Sequence, residues 1–167
     1  MSEVQNSCEL TVWLLERLFH PTEGWEHGSF LSLIGDLTSD QAQWRPAPDK
    51  RCIWELVIHM RSWRSFVNNR LRGEPVPDPF VPWPPLPEAN DGGDRERLWA
   101  AEIESLKEIH NQLVEAAGNL DPAERHPHPD LKHLPHVIGP LGVQIHDSYH
   151  LGQIAMLRGM QGLPPVE

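Results

Sequence analysis

Two histidines stand four residues apart near the end of the sequence, in the segment VQIHDSYHLGQIAMLR at residues 143–158. Residues i and i+4 lie on one face of an α-helix with Cβ atoms about 5–6 Å apart, so His146 and His150 can bind a single metal ion together. Four apolar residues of this segment are expected to be buried and to place the histidines at a core: Ile145, Ile154, Met156 and Leu157. Because the chain has 10 histidines, the pair alone is weak support for a metal site.

A third histidine, His59, lies in a second segment of helical periodicity, at residues 52–72. Three neutral imidazoles can hold zinc at about 2.0–2.1 Å and leave a coordination position open for water or substrate, as in catalytic zinc sites. Zinc held in this way can lower the pKa of a bound water toward about 7, or activate a thiolate. Imidazole also binds nickel and iron, so the ligand set does not identify the metal.

The apolar pattern predicts further helices at residues 8–19, 25–37, 94–117 and 136–160, with a short turn capped by residues 38–40. Seven prolines between residues 75 and 87 exclude a helix there and predict an extended crossover. The apolar residues of this crossover indicate that it lies against the helices: Phe80, Val81, Trp83 and Leu86. We therefore predict an all-α fold, a four-helix bundle with a long Pro-rich crossover between helices 2 and 3, as one domain over residues 1–167.

Composition narrows the class of partner. The net charge of −10 disfavours binding to nucleic acid or to an anionic membrane surface. Cys8 and Cys52 are the only cysteines and lack Cys-x-x-Cys spacing, so we interpret them as reduced thiols of a cytoplasmic protein. No signal peptide and no apolar run long enough to span a bilayer are expected.

The segments IWELVIHMRSWR (residues 53–64) and IHDSYHLGQI (residues 145–154) resemble the DinB/YfiT-like superfamily, and the likeness extends over nearly the whole chain. The resemblance implies that His59, His146 and His150 bind one divalent metal, with zinc as the first candidate and nickel or iron as alternatives. The better-understood members of that superfamily are thiol-dependent S-transferases, isomerases or hydrolases that use bacillithiol, mycothiol or glutathione, and many members have no assigned activity. The resemblance thus implies that this chain is a metal-dependent enzyme of the thiol S-transferase or hydrolase type that acts on a small molecule. It also implies that the chain forms a homodimer. The rival interpretation is a non-catalytic metal-binding stress-response module that works through protein partners.

Several neighbouring residues have open roles. Glu55, one turn before His59, is a candidate to orient it or to act as a base, and it is also placed to pair with Arg51. Gln153, one turn beyond His150, is a second candidate for the site. Asp147 is expected to have a structural role or to support the ligands, since it points about 100° away from His146 on the helix.

Other residues that could do chemistry are assigned to structure. Tyr149 and Trp63 are expected to form core or pocket wall, and Cys52, at the start of a helix, is interpreted as structural. Four histidines in a Pro-rich loop are expected to be solvated rather than to form a second metal cluster: His126, His128, His133 and His136.

Overall fold

The computed structural model describes residues 5–21, 28–75, 83, 85–121, 123–127 and 129–166. Over these ranges the chain forms six α-helices and no β-strand: α1 (Gln5–Phe19), α2 (Phe30–Ile34), α3 (Ser39–Gln43), α4 (Ile53–Leu71), α5 (Gly92–Gly118) and α6 (Ile138–Met160). A short 3-10 helix at Pro129–Leu131 and an isolated bridge between Arg125 and Pro135 complete the regular structure of the described residues. The prediction of an all-α fold is confirmed.

The four long helices pack on one another in a ring. α4 lies against α5 and α6, and α1 lies against the same two helices from the other side. The short helices α2 and α3 cover one end, where α2 packs on α6 and α3 packs on α4 and α5. The arrangement therefore has two helices more than the predicted set of four main helices, although both are single turns of five residues.

Local side-chain chemistry determines where these helices begin and end. Thr38 caps α3 in a capping box with Gln41, in which each side chain accepts from the other residue's backbone N–H. The carboxylate of Asp91 accepts from the N–H of Asp94 at 2.8 Å and caps α5. Gly73 follows α4 at a φ of 69°, a left-handed conformation that favours glycine and stops the helix.

Two predicted segments differ from the structure or lie partly outside the described residues. The helix predicted at residues 25–37 is described from residue 28 onward, and there it is only the turn Phe30–Ile34, capped by Ser29 and ended at Gly35. Within the predicted crossover, residues 76–82 and 84, which include Phe80 and Val81, lie outside the described residues. Trp83 and Leu86 are described, and both pack against the main hydrophobic core as predicted.

The core runs between α4 and its neighbours, and it corrects one prediction about α6. Ile154 and Leu157 are buried as expected, but Ile145 is 74% exposed and Met156 is 57% exposed. At 100° per residue, the buried stripe of α6 through His150 and Ile154 leaves residues 145 and 156 on the opposite side of the helix. No helix among the described residues is long and apolar enough to cross a membrane.

Candidate metal centre

Three imidazoles meet where α4 packs against α6. His59 comes from α4, and His146 and His150 come from successive turns of α6. Nε2 of His146 lies 3.0 Å from Nε2 of His59 and 3.2 Å from Nε2 of His150. The three candidate ligand atoms lie within 4.8 Å of one another. The structure thus brings together all three predicted metal ligands, which point the same ring nitrogen at a common centre.

The hydrogen-bond partners of the outer nitrogens assign a tautomer to two of these rings. Nδ1 of His146 lies 3.1 Å from a carboxylate oxygen of Asp147, and Nδ1 of His150 lies 2.7 Å from Oε1 of Gln153. Both partners are acceptors, so we assign the ring protons to Nδ1. A neutral ring protonated at Nδ1 has its lone pair on Nε2. Converging Nε2 lone pairs suit a shared cation, and the residues present therefore fit a divalent metal.

A buried ion pair supports His146 from behind. Asp147 and Arg64 have fully buried side chains, and Nε of Arg64 donates to the other oxygen of Asp147 at 2.7 Å. Arg64 also reaches Nδ1 of His110 at 2.7 Å, and the ring of His110 stacks on Phe19 at 3.7 Å between centroids. Arg64, itself held by His110, therefore fixes the carboxylate of Asp147. The fixed carboxylate in turn restricts the orientation of the His146 ring, from which it accepts.

The surroundings of the triad keep two of its rings neutral. The pKa of His59 is lowered to about 4, first by burial and then by the neighbouring charges that His146 and His150 would carry when protonated. Burial likewise lowers the pKa of His150. A ring whose pKa lies below its ordinary value offers its lone pair to a metal at neutral pH without competition from a proton.

Aromatic side chains flank the triad without closing it. Trp83 stacks on His59 with ring centroids 4.0 Å apart and planes 12° apart, and Trp63 lies 5.4 Å from the ring of His146. The side chain of His146 keeps 24% of its surface exposed. The described residues therefore leave the centre partly exposed at His146.

A cavity of about 590 Å³ adjoins the triad at His150. Its described walls come from the loop before α4, from Trp83 and from the outer face of α6: Pro46, Ala47, Lys50, Arg51, Leu56, Trp83, Tyr149, His150, Gln153, Met156, Leu157 and Met160. Tyr149 is thus pocket wall rather than core, and its hydroxyl accepts from Nε2 of Gln153 at 3.3 Å. Gln153 both contacts a ligand histidine and lines this cavity.

Glu55 is held in the cap of α4 by three groups. Its carboxylate accepts from the N–H of Cys52 at 3.0 Å, from Arg45 at 2.7 Å and from Arg51 at 3.0 Å. Burial alone would raise its pKa, but the hydrogen bonds from Arg45, Cys52 and Arg51 lower it to about 2. A carboxylate with this pKa is a poor general base at neutral pH, so the geometry favours a structural role for this catalytic candidate.

A second group, Glu16, His20 and His110, also has its ligand atoms within 4.8 Å of one another. Arg64 fixes the tautomer of His110, because a guanidinium only donates and Nδ1 must accept from it. In the neutral ring the proton then lies on Nε2, 3.4 Å from Oε1 of Glu16. An Nε2 that carries a proton has no lone pair for a metal, so this group does not fit a metal site.

The predicted solvation of the loop histidines is wrong for two of them. His126 and His136 are buried, because their backbone N–H groups donate to the carbonyls of Leu134 and Glu124 and fold the loop onto itself. His133 is exposed as predicted, and His128 lies outside the described residues. Cys52 is fully buried and burial raises its pKa to about 11, which supports the structural interpretation.

Sequence reasoning missed the roles of Arg64 and His110 and the place of Lys50 and Arg51 in the cavity, although the predicted pair of Arg51 with Glu55 is present. The signal for Arg64 was present, since it follows Met60 by four residues on the apolar face of α4 and a charge there needs a partner. No comparable pattern indicated the cavity, because its walls come from segments far apart in the sequence.

Comparison with known protein families identifies the family of this chain. The family model for the DinB superfamily matches residues 25–154, a stretch that contains all three histidines of the triad. No curated protein and no solved structure matches the chain.

Proposed function

This chain belongs to the DinB superfamily, and from that membership and the three converging imidazoles we propose that it is a divalent-metal-dependent enzyme acting on small molecules. The reaction we propose is of the thiol S-transferase or hydrolase type, with a low-molecular-weight thiol as cosubstrate of the transferase. The observation that carries the proposal is the convergence of three Nε2 atoms beside an open cavity. The acidic charge and the two unpaired, buried cysteines support a cytoplasmic location.

His59, His146 and His150 would hold the metal, with zinc as the first candidate and nickel or iron as alternatives. When bound, such an ion supplies a Lewis acid that lowers the pKa of a coordinated water or thiol. Asp147 and Gln153 hold the rings of His146 and His150 in place through Nδ1.

The remaining groups around the triad bind and orient rather than react. Trp83 covers one face of His59 and excludes water from it. The cavity beside His150 can accept the body of a substrate next to the triad. None of these roles requires a protein nucleophile, which agrees with the raised pKa of Cys52.

A non-catalytic metal-binding module is the second candidate. The tryptophans on two sides of the triad favour it, because a metal enclosed by large apolar side chains has restricted access to substrate. The partial exposure of His146 and the adjoining cavity favour the enzyme. Access to the triad is therefore the property that separates the two candidates.

The test begins with metal content by mass spectrometry on protein purified without a histidine tag. We expect about one divalent metal per chain in the wild type and loss of the metal in His150→Ala. The control is His133→Ala, which replaces an exposed histidine and should keep the metal. Absence of metal from the wild type after reconstitution with zinc, nickel and iron would overturn the proposal. The metal-loaded protein is then assayed for displacement of the halide of a chromogenic aryl halide by glutathione and for hydrolysis of a chromogenic ester. Metal binding without turnover across a wider set of thiols, electrophiles and esters would favour the non-catalytic module.

A further inference from the structure

The cavity beside His150 has a charge opposite to that of the whole chain. The protein carries a net charge of −10. The charged residues among the described residues that line this cavity are Lys50 and Arg51, and no acidic residue lines it. A positively charged cavity attracts an anion, and the acidic remainder of the surface does not compete for it.

Arg51 is placed to contact a ligand. Its guanidinium carbon lies 4.8 Å from the ring centroid of Trp83, which in turn stacks on His59. Its Nη1 donates to the carboxylate of Glu55 at 3.0 Å, and 49% of the Arg51 side chain is exposed. Arg45 and Arg51 share the single carboxylate of Glu55, so the described residues of this rim carry one positive charge in excess. Lys50 is balanced by Asp49 at 2.8 Å.

The wall that α6 contributes to the cavity is largely apolar and exposed. Tyr149, Met156 and Met160 lie on the outer face of α6 and are each more than half exposed. Large apolar side chains on one face of a helix gain free energy when a ligand covers them. Methionine side chains adapt to ligands of different shape, and a tyrosine ring offers a flat apolar surface.

We propose that this cavity, the Arg51 pocket, binds a small molecule with an aromatic or similarly apolar body and one carboxylate. The carboxylate pairs with Arg51, whose planar fork suits that group, and the single excess charge matches a monoanion. The apolar body lies between Trp83 and the α6 residues, beside the triad. That this ligand is the electrophilic substrate rests on the proposed function, whereas its binding does not.

Binding of 2-naphthoate and of its neutral amide, 2-naphthamide, tests the proposal by calorimetry on the full-length chain loaded with zinc. We expect the acid to bind at least about tenfold more tightly than the amide, the effect of one charge-assisted hydrogen bond. Arg51→Gln should reduce this preference to less than about threefold, and Arg51→Lys should retain part of it. The matched control is Arg72→Gln, since Arg72 is 51% exposed and pairs with Glu74 beyond the other end of α4.

A carboxylate can also bind a metal directly, so the same titrations are made on His146→Ala. Retention of the preference in His146→Ala and its loss in Arg51→Gln support the pocket. The reverse pattern, or equal binding of acid and amide to the wild type, overturns it.

Thermal melting of each variant shows whether it is folded. If Arg51→Gln is not folded, Lys50→Gln combined with Arg51→Lys takes its place, and an undiminished preference in that variant also overturns the pocket. Failure of the metal measurement, by contrast, bears on the proposed function alone.

Discussion

At the scale of single residues, the candidate centre depends on groups that never touch a metal. Asp147 accepts from His146 and is itself held by Arg64, and both members of this pair are fully buried. Replacing a group that orients a metal-binding histidine typically lowers metal affinity by about 10–100-fold. The pair therefore couples the metal site to the stability of the bundle, and substitutions can separate the two effects.

Replacing Asp147 with asparagine should weaken metal binding and destabilise the fold together. We expect zinc affinity to fall about 10–100-fold, measured by competition with a chromophoric chelator. Stability should fall by about 3–5 kcal/mol in urea unfolding, because Arg64 stays buried without its counter-ion. The double variant Asp147→Asn with Arg64→Met removes the buried charge and should recover most of the stability while zinc affinity stays low. If the double variant recovered both stability and zinc affinity, or neither of them, the assigned role of Asp147 would be contradicted.

His110 should make stability depend on pH. Its pKa, ordinarily 6.5, is lowered to about 2 in the folded chain, first by burial and then by the charge of Arg64. Between these values the unfolded chain binds one more proton than the folded chain, so stability falls as the pH drops below about 6.5, by up to about 1.4 kcal/mol per pH unit. Urea unfolding with a chelator at pH 7.5, 6.0 and 5.0 measures this slope. We expect the free energy of unfolding to depend less steeply on pH in His110→Gln and as steeply as in the wild type in His133→Gln. The same dependence in wild type and His110→Gln would refute the role of His110.

At the scale of the elements, the start of α4 positions His59. The first turn of this helix is tied to the preceding loop because Glu55 joins the N–H of Cys52 to Arg45 and Arg51. His59 follows one turn later, so an error in this cap moves a ligand. Arg51, one of the two arginines that pair with Glu55, also lines the cavity. The cap of α4 and the cavity therefore share a residue.

The substitution Glu55→Ala tests whether this carboxylate is structural. We expect a loss of about 2–4 kcal/mol in urea unfolding at pH 7, since two arginines and a helix N-terminus lose their acceptor. Because the folded pKa of Glu55 is about 2 against an ordinary 4.5, this contribution is present above about pH 4.5 and disappears as the pH falls toward 2. Glu74→Gln, which removes an exposed ion pair, should cost less than about 1 kcal/mol. Metal content near one per folded chain should persist in Glu55→Ala. A stable variant that lost only activity would instead restore Glu55 as a base.

The helices and the triad could be predicted from sequence because their signals are local or periodic. His146 and His150 need only helical geometry to share a face. His59 is a candidate from a second helical segment, and the family resemblance assigns it to the same metal. The exposure of Ile145 and Met156 could not be predicted, because composition does not fix which side of an apolar helix faces the bundle. The burial of His126 depends on backbone pairing within the loop, which no periodicity encodes.

At the scale of the whole molecule, the metal ligands join two helices that are distant in sequence. His59 belongs to α4, while the other two ligands belong to α6, and these helices pack directly on one another. An ion held by all three would be bound by the folded chain and released by the unfolded chain. Metal binding therefore adds to the free energy of unfolding of the entire bundle, and the size of the addition is set by mass action.

Removal of the metal should lower the melting temperature of the whole chain. At a free zinc concentration about 100 times the dissociation constant, binding adds about 2.7 kcal/mol, which for a chain of this size corresponds to about 5–11 °C in Tm. Scanning calorimetry before and after chelation measures the shift. His133→Ala should show the full shift, because that exposed side chain lies outside the triad. His150→Ala should show almost none, because two imidazoles hold zinc far more weakly than three. An equal shift in both variants would mean that the stabilising metal binds elsewhere, and the triad would then be a buried polar cluster rather than a metal centre.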